Sequence, residues 1–194
     1  MLNRRTQQHG VTLIEIIIGL VIASSLLMLG TVGFRDWTQN ARIRAEAESV
    51  RSGLQLARVT AVQVNGPVRF QFTTSVDSEC ALSTTGVYWV VSQANPAGQC
   101  DNTNTNANPP GIFQVGGGDM DGATNAALNS DQNTLVFTGT GQTQGNTTMT
   151  INISNSLGTC RAAGGTLHCL RVTVSTGGQI RMCDPAVPDG IGTC

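Results

Sequence analysis

Residues 11–34, VTLIEIIIGLVIASSLLMLGTVGF, are apolar apart from small polar residues and one charge, Glu15. A run of that length can span a bilayer as a helix, which needs about 20 residues. From about Arg35 the pattern turns amphipathic. Ile43, Ala47, Val50, Leu54, Ala57 and Ala61 step by 4, 3, 4, 3 and 4, which places them on one helical face. Small Ala residues alternate with larger ones, a pattern suited to close packing on a sheet. Arg44, Arg51 and Arg58 recur every seven residues beside that face, with Glu46 and Glu48 near them. This stripe reads as a solvated flank with i,i+4 pairs, contact with neighbouring chains being the alternative. Asn65-Gly66-Pro67 ends the pattern, so one helix over roughly 11–64 is predicted.

Beyond Pro67 the period changes to two. Val68, Phe70 and Phe72 alternate, and Val87–Val91 reads as a buried strand. Ile112–Val115, Leu135–Phe137, Met149–Ile153, Leu167–Val174 and Gln179–Met182 follow, with Ser175-Thr176-Gly177-Gly178 as a hairpin turn. Residues 95–111, 116–133 and 139–147 read as low-complexity loops. The prediction is an α+β chain: a long N-terminal helix packed on a mostly antiparallel β head.

Composition narrows the function. The 194-residue chain has a formal net charge of −1, and all 11 of its basic residues are Arg. From Arg69 onward, four Arg face eight acids, a net −4 that opposes long-range attraction to nucleic acid. The two His leave little room for a metal or a His-based active site. No nucleophile-and-base set stands out, so neither an enzyme nor a cofactor is expected. Gly118-Asp119-Met120-Asp121-Gly122 looks like part of a Ca²⁺ loop. It lacks the terminal Glu and reads better as an Asp-Gly turn. His168 reads as a structural imidazole in a strand beside Cys169.

The six cysteines all lie beyond residue 79, and their even number fits an oxidising compartment. Pairing of sequence neighbours gives Cys80–Cys100, Cys160–Cys169 and Cys183–Cys194; this set is preferred because short loops close cheaply. The rival is a zinc site using Cys160, His168 and Cys169, which lacks any CxxC spacing.

Residues 1–10, MLNRRTQQHG, are polar and carry Arg4 and Arg5, which hold the start of the apolar run in the cytoplasm. No clear small-residue cleavage site follows the apolar run. A carboxylate at a bilayer centre costs roughly 2.5–3.5 kcal/mol, so Glu15 needs a partner. A cut after Gly10 would give Val11 a new α-ammonium one helical turn away.

The run Gly10-Val11-Thr12-Leu13-Ile14-Glu15 resembles the class III signal of type IV prepilins, with Val11 where that pattern most often has Phe. The resemblance implies that a prepilin peptidase cuts between Gly10 and Val11 and N-methylates Val11. It also implies that Glu15 neutralises the N-terminus of a neighbouring subunit during assembly. Leu56-Ala57-Arg58, then Ala61, Gly66 and Val68, resemble the FimT/GspH group of minor pilins and pseudopilins, which includes FimU. Gly178–Pro185 is similar to the C-terminal strand and tail of its FimT/FimU branch. Some FimT members bind DNA for natural transformation through a Gly-Arg-x-Arg tail. Gly178 and Arg181 match it, and Gln179 replaces the first Arg.

The expected domains are a leader over 1–10, a transmembrane or filament-core helix over 11–34, the amphipathic half over 35–66 and a disulfide-containing β head over 67–194. The expected role is a minor pilin that helps initiate or assemble a type IV pilus. The alternatives are a GspH-like pseudopilin of type II secretion and a DNA-binding minor pilin. Expected partners are minor and major pilins, prepilin peptidase, the inner-membrane assembly platform and the membrane before assembly. The expected location is the bacterial inner membrane, head in the periplasm, then the pilus or pseudopilus.

Overall fold

The computed structural model describes residues 12–101, 111–118 and 125–187, the side chains of 27–33 excepted. Gly10, Val11, Asp119, Met120, Asp121, Gly122 and Cys194 therefore lie outside the described residues. One helix, α1, runs over Leu13–Gln63, close to the span expected from the periodicity. The chain divides into two compact units, Met1–Trp37 and Thr38–Cys194.

In the first unit, Glu15 stands in the first turn of α1, where a carboxylate complements the helix dipole. Leu13, Ile14, Ile16, Ile17, Ile18, Leu20, Val21, Ile22 and Leu26 are all exposed. The hydroxyls of Ser24 and Ser25 donate back to the Val21 carbonyl at 3.0 and 2.8 Å, so neither needs water. Among the described residues, no helix is long and apolar enough to cross a membrane.

The second unit is built on the remainder of α1. Ile43, Ala47, Val50, Leu54, Ala57 and Ala61 are all 0% exposed, as their spacing predicts. Asn65 ends the helix in the left-handed region (φ 48°). Its N–H donates to Val62 O at 3.3 Å, and Gly66 N–H donates to Ala61 O at 3.1 Å. These are the two bonds of a Schellman cap, and Pro67 then forbids continuation. Glu46 departs from expectation: it is buried at 6% exposure rather than lying on a solvated flank. Arg44 and Glu48 do form the exposed i,i+4 pair, at 2.9 Å.

Among the described residues, eight strands follow: β1 Val68–Thr73, β2 Tyr88–Ser92, β3 Ile112–Gly117, β4 Ala126–Ser130, β5 Thr134–Phe137, β6 Met149–Asn155, β7 Leu170–Val174 and β8 Ile180–Cys183. They form two four-stranded sheets, ordered β3-β2-β1-β5 and β4-β6-β7-β8. Every strand pair is antiparallel. The α1 face shares one core with Phe70, Phe72, Leu135, Phe137, Met149, Ile151, Ile153, Val172 and Val174, drawn from both sheets. A Cβ on Gly53 would sit 2.9 Å from the Phe70 and Trp89 rings, so glycine there lets α1 approach the first sheet closely. Trp89 also donates its indole N–H to Ser49 Oγ at 3.1 Å.

The first sheet is covered on its other face too. Cys80 and Cys100 form a disulfide, and with Val90 and Ile112 they make a second small core. Beside it Gln71 bonds to Thr134 Oγ1 and Ser92 Oγ, which satisfies a buried amide. In the loop leading to Cys80, the Ser75 hydroxyl and the Glu79 N–H donate to Asp77 Oδ1, holding that exposed carboxyl below its ordinary range.

Two expectations need correction. Residues 126–130 form β4, although 116–133 reads as loop. It is an edge strand in which only Leu128 and Ser130 are buried, so its apolar alternation is weak. The expected strand over Leu167–Val174 begins only at Leu170. Leu167 instead bridges Cys160, and the Cys160–Cys169 disulfide closes residues 160–169 into a loop. That disulfide also removes the thiolates the zinc alternative required.

The shared core predicts a sharp contrast along α1. Leu54→Ala should lower stability by about 2–5 kcal/mol, because the cavity opens between two sheets. Val59→Ala, at a position 52% exposed, should shift it by less than about 0.5 kcal/mol. Urea unfolding of the two variants checks this, and equal effects would contradict the assignment of the buried face.

Candidate functional site

The sequence-predicted site residues fall in two places. Glu15 belongs to the first unit, exposed in the first turn of α1, where the Thr12 carbonyl accepts from its N–H at 3.1 Å. Its expected partner is the N-terminus of a neighbouring subunit, and this chain's own Val11 lies outside the described residues. The remaining candidates are in the second unit, chiefly on its second sheet.

Gly178 ends the turn between β7 and β8. Its φ is +75°, and its N–H donates to Ser175 O at 2.8 Å. A Cβ there would lie 2.1 Å from Gly141 O, beside the Arg58 guanidinium. Arg58 Nε donates to that same carbonyl at 3.0 Å. Glycine at 178 thus has a structural reason: α1, the 138–142 turn and the β7–β8 turn meet there. Arg181 is exposed on β8, opposite Thr173. Its neighbour on the same face is Arg171, whose Nε donates to Asn152 Oδ1 at 2.8 Å. The outward side of the second sheet therefore presents Arg171 and Arg181 among Thr150, Asn152 and Thr173.

Cys80–Cys100 and Cys160–Cys169 are paired as expected. Cys183 is also disulfide-bonded, and its expected partner Cys194 lies outside the described residues. Among the described residues, no cluster of three or more His, Cys, Asp or Glu could hold a metal ion.

Sequence reasoning missed a polar cluster where α1 enters the head. Asn155 Nδ2 donates to Gln39 Oε1 at 2.5 Å, and His168 N–H donates to Asn40 Oδ1 at 2.7 Å. His168 Nδ1 lies 3.1 Å from Asp184 Oδ2, and its Nε2 lies 3.0 Å from Arg161 Nη1. A guanidinium only donates, so Nε2 accepts and the proton sits on Nδ1, shared with Asp184. His168 is therefore not in a strand; it joins the 160–169 loop, the segment after β8 and α1. Asn40, Arg44, His168, Leu170, Met182 and Asp184 line a groove of about 380 Å³. Its lining carries amide, ionic and apolar groups. The one available signal was the polar pair Gln39-Asn40 between the apolar run and the amphipathic half.

The family model described as type II transport protein GspH matches residues 46–183. The model described as prokaryotic N-terminal methylation motif matches residues 5–31. The fold resembles crystal structures of the type IV minor pilin FimU from Pseudomonas aeruginosa strain PAO1. One, in space group P21, has a TM-score of 0.54 at 16% identity, covering 80% of this chain and 98% of that one. The other, in space group P65, has a TM-score of 0.51 at 16% identity, covering 77% and 98%. Comparison with curated proteins found no match.

Gly178→Ala should destabilise the chain by at least about 1–3 kcal/mol, since a left-handed backbone and a clash with Gly141 act together. Gly177→Ala should be far milder, its Cβ meeting only Ser175 Oγ, 4.0 Å away. Thermal unfolding of both variants decides the point, and equal stability would contradict the turn geometry.

Proposed function

The chain belongs to the GspH family of type II transport proteins, and from that premise we propose that it works as a minor pilin of a type IV pilus. Its role is structural. The apolar part of α1 is held in the membrane and later packs in the filament core, and the head contacts neighbouring pilins. The observation that carries this reading is the exposed apolar run of α1 headed by Glu15, inside the segment that matches the N-terminal methylation motif. A contiguous exposed apolar surface of this kind needs an external partner.

In this reading prepilin peptidase cuts between Gly10 and Val11 and methylates Val11. Glu15 then pairs with the N-terminal ammonium of a neighbouring subunit. In the unassembled state the chain sits in the inner membrane with its head in the periplasm, next to the assembly platform. The likeness to the fold of FimU, which extends over 98% of that chain, is compatible with the pilus reading. The family description favours a second reading, a pseudopilin of type II secretion. Contact of Gly178 and Arg181 with DNA is the third. Gly178 has its own structural reason, and the net −4 beyond Arg69 opposes long-range attraction.

Gene deletion separates the machines. Loss of surface pili with secretion intact is expected, and the converse would favour the pseudopilin. In the deleted strain, Gly10→Leu should accumulate as uncut precursor on immunoblots. Glu15→Ala should be cut normally yet fail to restore piliation. Full piliation with Glu15→Ala would overturn the pairing role.

A further inference from the structure

Phe34 and Trp37 stand one turn apart on α1 with their rings 5.9 Å apart, and both are strongly exposed, at 65% and 67%. They mark a chemical boundary. No charged residue lies between Glu15 and Arg35, and charged and polar residues dominate from Arg35 onward. Those two charges stand 20 positions apart. At a helical rise of 1.5 Å per residue this is about 30 Å, the thickness of a bilayer's hydrocarbon core.

Side chains on a helix lean toward its N-terminus. The Trp37 ring therefore reaches back toward the level of Arg35, and Phe34 sits just inside it. Indole rings settle at the headgroup level of a membrane, an apolar body beside a polar N–H, and a neighbouring Arg extends its cation to the same level. The other tryptophan, Trp89, is buried and bonded to Ser49, so it has no such role.

We infer that Phe34, Arg35 and Trp37 form an interfacial anchor that seats in the headgroup region of a phospholipid bilayer on the head side. The anchor fixes how far α1 can sink while the subunit awaits assembly. With Glu15 about 30 Å away at the other face, it sets the register of the helix in the membrane. This inference rests on the membrane-held state proposed above.

The chain contains two Trp, so subtracting the emission of a Trp37→Phe variant isolates Trp37. The full chain is reconstituted into phosphatidylcholine–phosphatidylglycerol vesicles, and association is followed by flotation. The lipids carry bromine either near the glycerol end or near the tail end of the acyl chain. Trp37 emission should be blue-shifted and quenched most by bromine near the glycerol end. Its quenching by aqueous acrylamide should fall several-fold on reconstitution. A chain that floats with vesicles while Trp37 stays open to acrylamide and insensitive to bromine overturns the anchor alone. Strongest quenching from the tail end also overturns it, by placing the ring in the core. A chain that does not float overturns the membrane-held state and the anchor with it.

Discussion

One stripe on α1 holds the head together. Ile43, Ala47, Val50, Leu54, Ala57 and Ala61 have no exposed surface, and the inner faces of both sheets share a single core with them. The two sheets have separate strand orders, and the core around this helix takes side chains from both. The stripe works because it is narrow and partly small. Alanines and Gly53 bring the backbone close enough for Phe70 and Trp89 to pack against it, and interiors at crystal-like density tolerate little mismatch there. The head thus requires the C-terminal half of α1 as its own core element.

That dependence gives the polar contacts at Gln39 and Asn40 their meaning. Asn155, at the end of β6, and His168, in the 160–169 loop, hydrogen-bond to the helix at those residues. In the other unit, the large apolar side chains from Leu13 to Leu26 are exposed. A helix that is gripped along one part and carries an apolar surface along another is suited to a subunit whose partners are a membrane and, later, other helices. On the reading proposed above, Glu15, one helical turn beyond the expected cut after Gly10, pairs with a neighbour's N-terminus.

Much of this was legible in sequence because burial imposes a period. The buried face of α1 followed from its 4-3-4-3-4 spacing, and the helix end from Asn65-Gly66-Pro67, which forms a Schellman cap. β1 was visible because Phe70 and Phe72 point into the core. β4 was not, since an edge strand with one large buried residue, Leu128, leaves almost no alternation. The start of β7 was misplaced because a disulfide between Cys160 and Cys169 overrides β propensity at Leu167 and His168. The groove around His168 gave no signal beyond Gln39-Asn40: its residues come from α1, the 160–169 loop, β7, β8 and the segment after β8, and only the fold brings them together. Glu46 gave no signal either: its helical spacing places it among the charged residues, yet it is buried.

In the proposed reading this chain is a processed pilus subunit. The decisive measurement is mass spectrometry of filaments sheared from the cell surface. A processed subunit yields peptides from the head together with an N-terminal peptide that begins at N-methylated Val11. Filaments lacking the chain, with residues 1–10 still attached to the protein recovered from the cell envelope, would contradict it.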